Sequence, residues 1–428
     1  MSRTGSFKSL AEWLAWLETL TPNEIELGLE RVAAVLQRLS LKKPGRVIHV
    51  AGTNGKGSCV AMLEVLYLQK SSSVGAYTSP HIHRYNERIR IAGAAVLDDL
   101  ILEAFERVES VRDNTPLTYF EYGTLAALCI FDAAAIETVI LEIGMGGRLD
   151  AVNAVEPDGG IVTNVSLDHC GWLGHDIETI AAEKAGIFRQ NKPFVFASDN
   201  VPKSVNQVAN DVGARLRSLN TDYRFSVEST GRWCFAGRDT TVTELDRPTL
   251  HGHFQIQNAA GVLAPVEALC DRVLLNNELI NTAFSSLTLP GRMQLIERKR
   301  IWLVDAAHNP AAATVLADSI TASQGCVGTC IIGVLNDKDV AGIVEPLLNC
   351  VDRWISVPLG GPRATPAAEL ARVISNLSNK PCLVADSVAA ACGFADGRPG
   401  DLNPVLITGS FLTVGPALQW LETHRNGR

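Results

Sequence analysis

The chain has 428 residues, 46% of them hydrophobic and 20% charged, with a formal net charge of −8. That length exceeds one ordinary core and implies two or three compact units of a globular protein. The acidic balance argues against a dedicated nucleic-acid binder, no run of about 18 apolar residues suggests a membrane span, and ten cysteines lying mostly in apolar segments do not form a disulfide scaffold. A reducing, cytoplasmic compartment is expected. Cys326 and Cys330 make one C-x-x-x-C with no second pair, so buried thiols are expected there rather than zinc.

Near the N-terminus, Leu10, Trp13, Leu14 and Leu17 fit one helix face rather than the apolar core of a signal peptide. The β-branched run 47–51 predicts a strand. It stops at Gly52-Thr53-Asn54-Gly55-Lys56-Gly57-Ser58, and residues 59–69 predict a helix. Strand, glycine loop, lysine and helix is the layout of a phosphate loop, in which backbone N–H groups and a helix N-terminus meet anionic oxygens. The strict G-x-x-x-x-G-K-[ST] pattern is not met. Val50 stands where the first glycine belongs, and Gly57 separates Lys56 from Ser58. A plain glycine turn is the other reading.

The next strand, 74–78, runs into Thr78-Ser79-Pro80-His81, where Ser79 offers a hydroxyl to Mg²⁺ or phosphate, or caps a turn. Arg84, Arg88 and Arg90 follow as a cationic stretch, either an anion site or a solvated face. Helices are predicted over 97–109 and 121–134. Strand 138–143 carries Glu142, a candidate Mg²⁺ ligand because that ion takes hard oxygen donors, and a glycine-rich loop, 144–150, follows it. Strand 160–164 leads to Asp168-His169, where His169 is either a metal ligand or a hydrogen-bonded structural residue. Lys184 taken alone reads as a surface lysine. Strand 193–197 precedes a polar stretch, 215–246, expected as a small excursion, and then a helix over 257–269.

Pro290-Gly291 marks a linker at about 285–290. Beyond it, strands over 301–305, 330–334, 354–357 and 404–408 form a second α/β series. There Asp305 could accept hydrogen bonds from ribose, and Arg292 and His308 could approach phosphates, although Asp and the neighbouring Asn309-Pro310 are also ordinary turn residues. The fold class is therefore α/β: a P-loop parallel-sheet ATPase domain over 1–287, then a smaller Rossmann-like α/β domain over 288–428.

Taken together in order, these segments resemble the dihydrofolate synthase/folylpolyglutamate synthase family of the Mur ligase superfamily, over nearly the whole chain. The markers are Leu27–Arg31, Gly52–Ser58, Thr78–His81, Tyr85–Arg88, Phe120–Thr124, Leu141–Asn153, Asp168-His169, Glu183–Ile187, Pro290–Arg292, Asp305–Pro310 and Asp337–Asp339. The extra Gly57 is itself the family's form of the loop. The resemblance implies an ATP-dependent amide ligase adding L-glutamate to dihydropteroate and to tetrahydrofolate derivatives. It also implies a monomer that needs neither nucleic acid nor membrane.

The same resemblance implies residue roles. Thr53, Asn54, Gly55, Lys56, Gly57 and Ser58 would bind ATP, joined by Asn258, Arg292 and Asp305. Ser79 and Glu142 would hold one Mg²⁺ and His169 a second, with a monovalent cation as a further cofactor. Lys184 matches a lysine that CO₂ carbamylates. Glu26, Leu27, Thr118, Tyr119, Phe120, Glu121, Leu149, Asp150 and Ala151 would receive the pteroate, and His308 would join the catalytic set. The 288–428 domain would act as the glutamate-ligase part.

Two departures stand out. Cys170-Gly171 replaces the family's usual Thr-Asp, and 253–257 replaces a compact His-Gln pair before Asn258. The rivals are a monofunctional folylpolyglutamate synthase, a peptidoglycan Mur ligase and a nucleotide switch. The second would carry a nucleotide-sugar domain, for which only about 50 residues precede the loop. The third lacks its Asn-Lys-x-Asp, since 191–194 read Asn-Lys-Pro-Phe.

Overall fold

The protein is described here from a computed structural model over residues 7–20, 26–323, 325–398 and 402–424. The chain divides into two compact units. The first comprises residues 1–165, 175–248 and 256–287, and the second 166–174, 249–255 and 288–428.

In the first unit, strands form where β-branched and aromatic residues run together, and the chain returns through helices, so the central strands are parallel. Across the sheet the order is Ala94–Ala95, Ile89–Ile91, Val74–Tyr77, Thr138–Glu142, Arg46–Ala51, Gly159–Val162, Pro193–Phe196 and Arg215–Ser218. The first two strands turn back antiparallel. Arg215–Ser218, expected in an excursion, instead extends the main sheet as a parallel edge strand. The polar stretch beyond it makes a separate antiparallel sheet of Arg224–Val227, Trp233–Ala236 and Thr241–Leu245.

Apolar residues of both sheet faces are buried. Helices Lys56–Leu68, Asp98–Arg112 and Tyr119–Ala133 cover them with Leu63, Phe105, Leu125 and Phe131, each at most 2% exposed. A buried Leu or Phe contributes about 1.5–3 kcal/mol by leaving water. The N-terminal helix, Leu10–Leu17, inserts Trp13 and Leu17 into the same core, as its spacing predicts.

The second unit has a sheet in the order Gln294–Glu297, Ile301–Val304, Val405–Thr408, Thr329–Ile332, Trp354–Ser356 and Cys382–Val384. All neighbours are parallel except the first pair. Cys330 is buried in it, whereas Cys326 is exposed, and all ten thiols are free. No helix among the described residues is long and apolar enough to cross a membrane.

Candidate active site

In the first unit the strand Arg46–Ala51 lies at the middle of the sheet, with Val50 opposite Glu142 on one side and Ile161 on the other. Open parallel sheets collect ligands beyond the carboxyl ends of such strands. The chain leaves Ala51 through Gly52 at φ 141°. Gly55, at φ 84°, caps the helix Lys56–Leu68 with no side-chain hydrogen bond. A Cβ on Gly52 would lie 1.8 Å from Thr163 Oγ1, so only glycine fits this approach.

The loop is tied down from the neighbouring strand end. Thr163 Oγ1 and Asn164 Nδ2 donate to the Asn54 carbonyl at 2.6 and 2.9 Å. Asn54 N donates to Asn164 Oδ1 at 3.0 Å, and Thr53 N to the Asn164 carbonyl at 2.9 Å. Lys56 folds back over the loop, its ammonium donating to the Gly52 and Thr53 carbonyls at 3.1 and 3.2 Å. Asn258 stands against Gly55, where an added Cβ would lie 3.0 Å from Asn258 Oδ1. Gly57 and the buried Ser58 form the helix's first turn. A helix N-terminus of this kind, with a lysine over it, attracts a polyanion.

Glu142 is 4% exposed, and its Oε2 accepts from the Ser79 backbone N–H at 3.0 Å. Lys184, on the helix Ile177–Ala185, is 3% exposed and is not the surface lysine its isolated reading suggested. Its ammonium donates to the Gly52 carbonyl at 3.1 Å, the same oxygen that Lys56 uses. The loop after Glu142 positions that helix. A Cβ on Gly147 would meet the Glu183 and Lys184 carbonyls at 2.6 and 2.8 Å, and Arg148 N donates to the Glu183 carbonyl at 2.8 Å.

A second constellation in the same unit gathers the proposed pteroate residues. Thr118 and Glu121 form a capping box at the start of the helix Tyr119–Ala133: Glu121 N donates to Thr118 Oγ1 at 3.2 Å and Thr118 N to Glu121 Oε2 at 2.8 Å. Arg31 spans the two acidic candidates, donating to Glu26 Oε1 at 2.6 Å and Glu121 Oε1 at 2.8 Å. Gly28 N donates to the Leu149 carbonyl at 3.3 Å, which brings the Glu26-Leu27 segment to Leu149-Asp150-Ala151. Asp150 accepts from Met145 N and Val152 N at 2.8 and 3.0 Å. Burial nevertheless pushes its carboxyl up to about 7. The Phe120 ring lies against Gly144, and Tyr119 has the Arg88 guanidinium over its ring at 5.6 Å. The cationic stretch is not an open anion site. Arg84 pairs with Asp98 and Arg90 with Glu64, while Arg88 donates to His81 Nδ1 at 2.9 Å.

In the second unit, Asp168 collects four partners. Asn309 Nδ2 donates to its Oδ2 at 3.0 Å, the Lys338 ammonium donates to its Oδ1, His308 Nε2 lies 3.6 Å from Oδ2, and His169 N donates to Oδ1 at 2.8 Å. Burial works against its charge, but His169, Lys338 and His308 together hold the carboxyl well below its usual range. His169 adopts φ 52°, and its Nε2 is 3.3 Å from the Lys338 ammonium. His308 is pushed down to about 4, chiefly by burial, so it is neutral at neutral pH, with Nδ1 2.9 Å from the Ala306 carbonyl. Asp305 accepts from Met293 N and Ala307 N, both at 2.8 Å, which fixes the turn carrying Arg292. The Arg292 guanidinium lies 4.8 Å from the centre of the Phe411 ring.

Sequence reading assigned no role to Thr163, Asn164, Arg31, Asn309 or Lys338. Thr163 and Asn164 showed only as polar residues at a strand end. Lys338 stood inside a family marker, but nothing in one sequence pairs position 338 with 168.

The chain as a whole is similar to known proteins. The Mur ligase middle domain matches residues 50–266, and the Mur ligase glutamate ligase domain matches 291–411. The dihydrofolate synthase/folylpolyglutamate synthase of Escherichia coli K12 is 40% identical over 98% of this chain and 97% of its own. The solved structure of E. coli FolC in complex with DHPP and ADP superposes with a TM-score of 0.91 at 38% identity, covering 99% of this chain and 100% of that one. A bifunctional folylpolyglutamate synthase/dihydrofolate synthase with Mn, AMPPNP and L-glutamate bound gives 0.88 at 36% identity, covering 98% and 99%. The chain belongs to the Mur ligase family, among the dihydrofolate synthase/folylpolyglutamate synthases.

Proposed function

We propose that this chain is an ATP-dependent ligase that joins L-glutamate to dihydropteroate, giving dihydrofolate, and to tetrahydrofolate derivatives, giving folylpolyglutamates. The observation that carries this reading is the arrangement within one unit of a tied phosphate loop, the Glu142 carboxylate and the buried Lys184, next to the Glu26–Arg31–Glu121 and Leu149–Asp150 constellation. Of the relatives' bound groups, ADP and AMPPNP suit the phosphate loop and DHPP suits the second constellation.

Carboxylates are poor acyl donors because oxide is a poor leaving group. Here the pteroate or folate carboxylate attacks the γ-phosphorus of ATP, giving an acyl phosphate and ADP. The glutamate amine then attacks the acyl carbon, and phosphate leaves. Lys56 and the loop N–H groups hold phosphate oxygens and stabilise charge on the phosphoryl group in transit. Asn258 supports the loop at Gly55, and Arg292 and Asp305 are further nucleotide-binding residues of this reading. Neutral His308 and Lys338 belong to the glutamate-ligase part, residues 288–428, and Lys338 pairs with Asp168 of the preceding segment, while residues 1–287 handle ATP and pteroate.

Glu142 fits a divalent ion: it is a buried carboxylate with one oxygen engaged by the Ser79 amide, beside the phosphate loop. Among the described residues no group of three His, Cys, Asp or Glu could hold a metal. An ion held by Glu142 and the Ser79 hydroxyl would therefore complete its shell with phosphate and water, as Mg²⁺ does. When bound it would neutralise phosphate charge. His169 would serve a second ion, and a monovalent cation is the remaining cofactor of this reading. Carbamylated Lys184 would keep one N–H for the Gly52 carbonyl while gaining two oxygens that share one negative charge. The enzyme acts as a cytoplasmic monomer.

Supplying ATP, Mg²⁺ and L-glutamate with dihydropteroate or with tetrahydrofolate, and measuring ADP and product mass, tests the reading. Glutamylation of both acceptors is expected. Turnover of tetrahydrofolate alone favours a monofunctional folylpolyglutamate synthase, and turnover of neither overturns the proposal.

A further inference from the structure

At the far edge of the first unit's sheet lies a cleft of about 620 Å³ beside the strand Arg215–Ser218 and the helix Lys203–Val212. Three arginines, Arg215, Arg217 and Arg238, line it with Asn206, Asn210 and Asp222. Among the described residues the strand has a sheet neighbour on one side only. It is the third strand from Arg46–Ala51, about 14 Å away at ordinary sheet spacing, so the cleft is not the phosphate loop.

A buried carboxylate organises this cleft. Glu267, 2% exposed, pairs with the Arg217 guanidinium and also accepts from Arg238 N and Asp239 N, both at 3.0 Å. Gly237 leaves room for it, since a Cβ there would lie 2.4 Å from Glu267 Oε1. Glu267 thereby fixes Arg217 and the hairpin turn that carries Arg238. Asp222, the acidic residue of the lining, is occupied by the Ser218 N–H at 2.8 Å. Arg215 and Arg238 are exposed and have no carboxylate partner among the described residues. Three guanidiniums stand against the carboxylates of Glu267 and Asp222, which leaves the cleft a net positive charge, with two guanidinium forks and two amide side chains around a space large enough for a metabolite.

We propose that this cleft binds a small polyanion, a phosphate-bearing or oligocarboxylate metabolite, held by Arg215 and Arg238 and oriented by Arg217. Guanidinium forks take carboxylate and phosphate alike, so the ligand's source is resolved by probes rather than by shape. The proposal does not rest on the ligase reading.

The full chain with Lys56→Ala, which weakens phosphate binding at the loop, is titrated calorimetrically with sodium pyrophosphate and with tri-γ-L-glutamate. Saturable binding of at least one probe, with one site per chain, is expected. It should weaken roughly tenfold or more when Arg215→Ala and Arg238→Ala are added, the sum of two exposed charge contacts. Pyrophosphate alone identifies a phosphate ligand, tri-γ-L-glutamate alone an oligocarboxylate, and both a general polyanion site. Absence of saturable binding, or affinity unchanged by the arginine replacements, overturns the proposal. Both arginines are exposed, so the melting temperature should hold; Arg215→Gln with Arg238→Gln repeats the test should the alanine chain melt early.

Discussion

Gly147→Ala tests whether the loop after Glu142 sets the position of Lys184. The new methyl would lie 2.6 Å from the Glu183 carbonyl oxygen, 2.8 Å from that of Lys184 and 3.0 Å from Lys184 Cα. All three are backbone atoms, so no rotamer change relieves the contact. Reaching an ordinary separation of 3.4 Å requires a displacement of about 0.8 Å, taken up by the loop or by the end of the helix Ile177–Ala185. Overpacking of this kind costs about 1–3 kcal/mol. A shift near 1 Å at a reacting centre costs about 100-fold in rate. Gly147 has no left-handed φ, so backbone strain adds nothing. We therefore expect a modest fall in melting temperature and a far larger fall in kcat/KM for glutamate addition, measured by coupled ADP release. An alanine chain with kcat/KM within twofold of the parent would refute the reasoning, because it would mean that Lys184 need not stay where the loop puts it.

Three further outcomes are expected. Thr163→Val keeps shape but removes the 2.6 Å bond to the Asn54 carbonyl, which Asn164 still satisfies; a loss of about 1 kcal/mol should appear as a several-fold higher KM for ATP with little change in kcat. Lys184→Ala should impair turnover and be partly rescued by a small carboxylic acid; unchanged activity rejects the carbamate role. His49 is fully buried, with neither ring nitrogen hydrogen-bonded among the described residues, and burial followed by the Arg189 charge pushes it down to about 3. The unfolded chain takes up this proton below about 6.5 and the folded chain does not, so stability is present above that pH and lost as pH falls towards 3. Urea unfolding should show the parent losing about 2 kcal/mol more than His49→Leu between pH 7 and pH 5; equal losses would remove His49 from the acid response.

The alternation of strands and helices was legible because buried parallel strands need long apolar runs, and 47–51, 138–143 and 193–197 supply them. Helix starts were less so: Lys56 already begins the helix that apolar spacing places at 59, since glycine and lysine carry no amphipathic signal. The strand Arg215–Ser218 was hidden by its composition. An edge strand with one exposed side tolerates the two arginines that made it read as an excursion. Lys184 was unreadable as a buried cation without the family resemblance, because its ammonium is held by the Gly52 carbonyl, 132 positions earlier. The Asp168 cluster depends on contacts over more than a hundred positions, and no local pattern encodes those.

The clamp of Thr163 and Asn164 on residues 53 and 54 has an energetic consequence. Ordering a backbone residue costs about 1–2 kcal/mol of entropy. For the tethered residues that cost falls on folding rather than on nucleotide capture. Affinity for nucleotide is then written partly into the strand Gly159–Val162, which leads into the clamp but lies outside the loop. Changes that loosen this strand should weaken nucleotide and lower thermal stability together, and bound nucleotide should protect the strand's amides from hydrogen exchange.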